Sequence, residues 1–149
     1  MGDKRIWQDL RNQAWSAKRR GDFQQAVSLL TAAVQEVSTH PEDRPDLHVT
    51  LNTLASLYAE TGQVTNAIEI ATRDIEVCRQ LPNEARILLG SSLMFLAHVL
   101  LEARRYAEVI DPATEGAEIY STVMGETHSE TVRMRQVLTE AHEGLTRPS

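Results

Sequence analysis

The sequence predicts an all-α fold, three helical hairpins in series closed by a seventh helix. Three observations lead there. Apolar residues recur at helical spacing along nearly the whole chain. Helix-breaking residues fall between those stripes, at Gly21, His40-Pro41, Pro45, Gly62, Pro82-Asn83 and Gly125. The stripes themselves repeat every 41 to 42 residues.

Each helix follows from its own signals. The first, near 4–20, ends at Gly21. The second, 22–38, starts at Asp22, with Gln25 three residues on as in a capping box. It carries the stripe Phe23, Ala26, Val27, Leu30, Ala33, Val34 and Val37. The third, 45–61, runs from Pro45 to Gly62. The fourth, 63–81, carries Val64, Ala67, Ile68, Ala71, Ile75 and Cys78. The fifth, 84–103, holds Leu89, Leu93, Leu96, Ala97 and Leu100. The sixth, 105–124, contains Pro112, which is expected to kink or briefly break it; alternatively Asp111-Pro112 starts a shorter helix at 112. The seventh, 128–143, has Thr127 and Glu130 as a capping box and Gly144 as its expected end.

Composition narrows the function. The 149 residues fit one domain, and 42% hydrophobic with 24% charged residues is an ordinary globular balance. The net charge of −6 argues against nucleic acid, whose phosphates demand clustered positive charge. The charge is uneven. Residues 1–20 carry Lys4, Arg5, Arg11, Lys18, Arg19 and Arg20 against Asp3 and Asp9, for +4, which leaves −10 on the rest. Cys78 is alone, so neither an internal disulfide nor a cysteine-built zinc site is expected. The run Ile87–Leu101 reads as a buried helix, too short and polar to cross a bilayer. The first twenty residues lack the apolar stretch of a secretory signal, so the expected compartment is the cytoplasm.

The period aligns Leu10 with Leu51 and Leu93, Ala14 with Ala55 and Ala97, and Ala26 with Ala67 and Val109. Gly21 falls on Gly62, and Leu96 on Leu138. Small residues at such positions let two helices approach closely, and each hairpin leaves an apolar face for its neighbour to cover. The string Leu51-Asn52-Thr53-Leu54-Ala55-Ser56-Leu57-Tyr58, followed by Gly62 and Ala67, resembles the tetratricopeptide repeat. The 42-residue period and the connector Gly125-Glu126-Thr127-His128-Ser129-Glu130-Thr131 are similar to kinesin light chains and their bacterial relatives, with Ser129 where they have proline. The resemblance implies a right-handed superhelix with repeats near 4–40, 45–82 and 84–124 and a capping helix at 128–144. Repeat one has Ala17 where an aromatic is expected. Repeat three departs most, with Arg104 for the glycine, Val109 for the alanine and Gly116 for a later alanine. In the last helix, Val132, Met134, Leu138, Ala141 and Leu145 are expected to cover the preceding hairpin, with Arg133, Gln136, Glu140 and Glu143 in water.

Enzyme motifs are missing: there is no phosphate loop, no His-Glu-x-x-His and no nucleophile elbow. His40, His48, His98, His128 and His142 show no tight metal-ligand spacing. No enzyme activity, cofactor or metal is expected. The resemblance instead implies a partner-binding groove lined by the first helix of each hairpin. Its candidates are Arg11, Trp15, Lys18 and Arg19, then Asn52, Ser56 and Glu60, then Met94, Phe95, His98 and Leu101, and Gln136, Glu140 and Glu143 in the last helix. By resemblance Asn52 holds a peptide backbone; the plainer reading is a surface asparagine. Trp15, Met94 and Phe95 read as anchors or as packed side chains. The acidic-tail clamp of chaperone-binding relatives is not matched, because Trp15, Thr53, Ser91 and Phe95 stand at its positions.

The expected function is a cytoplasmic adaptor that binds a peptide or partner helix in this groove, without nucleic acid or membrane. Two alternatives stand beside it. One is a homo-oligomeric scaffold using the same groove; the other is a noncanonical enzyme or small-molecule binder with a hydrophobic pocket near His98 and Glu102.

Overall fold

The computed structural model describes residues 5–148. The described residues form seven α-helices and no strand: α1 (Arg5–Arg19), α2 (Phe23–Ser38), α3 (Arg44–Glu60), α4 (Val64–Arg79), α5 (Arg86–Glu102), α6 (Tyr106–Met124) and α7 (Ser129–Thr146). Short 3-10 turns at Pro41–Asp43 and Asn83–Ala85 lead into α3 and α5. The expected start of the first helix at Lys4 lies outside the described residues. The chain divides into two compact units, the first ending at Val77 and the second starting at Cys78.

The repeat is visible in the hairpin turns. Asp22 N donates to Ala17 O, Gln63 N to Tyr58 O and Arg105 N to Leu100 O, at 2.9, 2.8 and 2.9 Å. One residue earlier in each turn, Gly21, Gly62 and Arg104 hold positive φ angles of 79°, 76° and 59°. This is the six-to-one closure of a helix whose next residue is left-handed. The third hairpin, expected to be the most divergent, therefore has the same turn as the first two. Arg104 adopts a conformation in which its Cβ crowds the backbone. Replacing exposed Arg104 with Gly should raise stability by about 0.5–1 kcal/mol, the relief of strain exceeding the added entropy of the unfolded chain. The reverse change, Gly62→Ala, should cost about 1 kcal/mol. A Cβ there meets nothing within 4 Å, so the loss would be purely conformational. Urea unfolding of both variants checks the pair.

In the first unit, α1, α2 and α3 bury Ala14, Ala17, Ala26, Leu30, Val34, Leu51, Leu54 and Leu57, with Ile70 and Val77 of α4 packed against them. Ala17, which replaces the expected aromatic, is fully buried. A second cluster gathers Trp7, Ala33 and Val37 beside Leu10 and Leu47. Trp7 is fully buried, and its ring lies 5.8 Å from that of His40. Asp22 caps α2 by accepting from Gln25 N at 3.1 Å, but the Gln25 side chain takes Arg20 instead of returning to the cap. Only half of the capping box forms.

In the second unit, α5 packs on α6 and α6 on α7. Counted from Asn83 to Glu102, the apolar stretch reaches 20 residues, enough by length and composition to cross a membrane. That corrects the shorter span expected from the sequence. Its Leu89, Leu93, Leu96, Ala97 and Leu100 are buried in the protein. Helix α6 runs unbroken through Pro112, and Asp111 does not begin a new helix. Val109 and Ala113, on either side of the proline, are both fully buried, so packing carries the helix past the missing N–H.

Three expectations for α7 are corrected. His128, not Thr127, is its cap, the ring Nδ1 accepting from Glu130 N at 3.2 Å. Gly144 lies inside the helix, because the Tyr106 ring of α6 packs where a Cβ would stand, 2.6 Å away. The buried stripe is Thr131, Met134, Val137 and Ala141, while Val132 and Leu145 are 43% and 51% exposed. Gly116 has a similar cause: a Cβ there would collide with Met134 Cε.

Arg79 grips Glu115 through two hydrogen bonds of 2.7 Å. Those bonds hold the Glu115 carboxyl below its ordinary range, against the opposing effect of partial burial. A depressed carboxylate stabilises the fold above its unfolded pKa and loses that contribution as pH falls through the folded one. Glu115→Gln should therefore cost about 0.5–1 kcal/mol at neutral pH, a modest figure because the pair is partly exposed. Below about pH 4 the unfolding midpoints of variant and wild type should converge.

Candidate functional site

In the first unit α1 and α3 both pack on α2 and leave a concavity of about 340 Å3 between them. Its floor is apolar, made of Ala14, Ala26, Leu30 and Leu57. Its rim is Arg11, Asn12, Trp15, Lys18 and Thr53. Helical spacing accounts for the rim: Arg11, Trp15 and Lys18 follow steps of four and three along α1, one face of the helix. Buried Ala14 is small enough to keep the floor open.

Trp15 dominates the rim. It is 57% exposed, an unusual state for so large an apolar group, and Lys18 Nζ lies 5.4 Å from its ring centroid. Two ion pairs bridge α1 to α3 at the ends of the concavity. Lys18 donates to Glu60 at 3.0 Å, and Arg11 approaches Asp46 at 3.8 Å.

Of the groove candidates, Arg11, Trp15 and Lys18 meet at this concavity, and Glu60 touches it through Lys18. Arg19 is exposed but not among the lining residues. Asn52 and Ser56 are half-buried on the neighbouring strip of α3, one position round the helix from Thr53 and Leu57, which do line it. Asn12 is a rim residue the sequence reading does not name. It stands three residues before Trp15, so the helical spacing that selects Trp15 also selects Asn12.

The other candidates belong to the second unit. Met94 is 8% exposed, a core side chain with no surface to offer a partner. Phe95, His98 and Leu101 are half-buried. Glu102 is exposed. Gln136, Glu140 and Glu143 share a shallow face of α7 with Val132, Arg135 and Thr139.

One buried polar pair leaves no mark in the sequence. His48 Nδ1 of α3 lies 2.8 Å from Asp74 Oδ1 of α4. Both residues are buried. The contact pairs an imidazole nitrogen with a carboxylate oxygen, and a proton lies between them. This contact ties the two helices of the second hairpin together.

A pair of first helices from consecutive hairpins, with a concavity between them, is the arrangement of tetratricopeptide-like repeats, and the fold is of that kind. No protein-family model matches the sequence, and no curated protein matches it either. Solved structures do match. A kinesin-light-chain protein of Podosopora anserina with nearly identical TPR-like repeats superposes with a TM-score of 0.78 at 17% identity, over 97% of this chain and 69% of that one. BtubC of P. vanneervenii gives 0.74 at 17%, over 95% and 63%. The TPR2B domain of yeast Sti1, solved in complex with pHsp70, gives 0.66 at 15%, over 94% and 98%.

Proposed function

We propose that this protein is a non-catalytic adaptor of the cytoplasm that docks a peptide segment of another protein in the concavity between α1 and α3. The observation that carries the reading is Trp15. A half-exposed indole at the rim of an apolar hollow is costly to leave in water and effective when a partner covers it. Its surroundings support docking: the floor is already formed, so binding orders few side chains on this surface. The Sti1 domain of the same fold, solved with an Hsp70 partner, lends the general mode. Affinity capture from the native cell tests it. Proteins retained by wild type and lost with Trp15→Ala are the expected result; identical capture by both would overturn the reading.

A further inference from the structure

The concavity combines an apolar floor with a rim whose charges already answer one another, and that combination restricts what fits. We infer that its occupant is an electrically neutral peptide segment that inserts one large apolar side chain against Trp15. This rests on the docking reading above and adds the chemistry of the partner.

Taken by itself, α1 carries Arg11, Lys18 and Arg19, an excess of positive charge. In the structure α3 supplies the counter-charges. Glu60 takes Lys18, and Asp46 takes Arg11. Two cations and two anions around the hollow cancel, so an acidic segment meets Asp46 and Glu60 as well as the bases. To use Lys18 it would have to displace Glu60, and the cost of breaking one pair offsets the gain of the other.

The pairs also set the size. Arg11 and Lys18 are seven residues apart, about 10 Å along α1, and their partners Asp46 and Glu60 fourteen residues apart, about 21 Å along α3. The space between them holds Trp15, Asn12 and Thr53 over Ala14, Ala26, Leu30 and Leu57. That suits one large side chain, with Asn12 on the rim and Thr53 Oγ1, which donates to Val49 O at 2.8 Å, able to accept from the backbone that delivers it. Lys18 lies over the Trp15 ring, so an incoming ring meets the indole at its edge or opposite face.

The test uses the full chain and three amides: N-acetyl-phenylalanine amide, N-acetyl-leucine amide and N-acetyl-glutamate amide. The Trp15 indole N–H resonance reports binding. The two neutral probes should shift it and saturate in the millimolar range, with affinities that change less than about twofold between about 50 and about 500 mM NaCl. The glutamate amide should bind at least about tenfold more weakly. Thr53→Phe, which fills the hollow and keeps Trp15 as reporter, should abolish the shifts. Tighter binding of the glutamate amide, or loss of the neutral probes at high salt, would overturn the neutral-occupant inference and leave the docking site intact. No shift with any probe would remove both.

Discussion

Replacing Asp74 with Ala should lower the stability of the protein by about 3 kcal/mol, the largest effect expected of any polar change here. Asp74 is 1% exposed and His48 7%, and their contact of 2.8 Å joins α3 to α4. Removing the carboxylate takes away a hydrogen-bond partner of the buried imidazole Nδ1 and opens a small void. Both costs add, because water has little access to either. Asp74→Asn keeps the volume and an accepting oxygen, so its loss should be about half as large. Urea unfolding followed by circular dichroism distinguishes the two variants. A loss below about 1 kcal/mol for Asp74→Ala would mean the pair contributes no more than a surface contact.

Trp15→Ala should leave the fold intact and weaken partner binding by about 1–3 kcal/mol, roughly fivefold to 150-fold. The separation follows from exposure. Most of the indole faces solvent, so truncating it removes little packing within the chain. Met94→Ala should behave in the opposite way. That side chain is buried, so its loss should cost about 2–5 kcal/mol of stability and leave the docking surface unchanged. Calorimetric titration with a captured partner, beside unfolding curves for both variants, reads the contrast. Equal affinity for Trp15→Ala and wild type would remove the indole from the interface.

The helical repeat was legible because its signal is steric and local. Ala14, Ala55 and Ala97 align in the sequence at 41- and 42-residue steps, and all three are buried where helices meet. Ala26, Ala67 and Val109 do the same, each fully buried. The third turn hid its likeness, since Arg104 carries no mark of the left-handed conformation that glycine advertises. Gly144 misled in the other direction. A late glycine in a helix reads as a stop, but here its missing Cβ makes room for Tyr106, a residue 38 positions earlier.

The site was legible in part. Spacing along one helix brought Arg11, Trp15 and Lys18 together, because helical geometry alone decides which residues share a face. It could not reveal that Asp46 and Glu60 answer the bases, since that depends on how α1 sits against α3. The same limit hid the His48–Asp74 contact between α3 and α4. Trp7 and Trp15 show how little residue type decides. One tryptophan is fully buried in the first unit, and the other stands 57% exposed at the rim of the hollow.

The proposed docking surface is the concavity between α1 and α3. A titration of the isotopically labelled protein with a short neutral peptide containing one phenylalanine, followed by amide and indole resonances, tests it most directly. Progressive shifts are expected at Asn12, Trp15, Lys18, Leu30, Thr53 and Leu57, with the α7 face at Gln136 and Glu140 unmoved. Shifts centred on α7, or spread evenly over the chain without saturation, would contradict it.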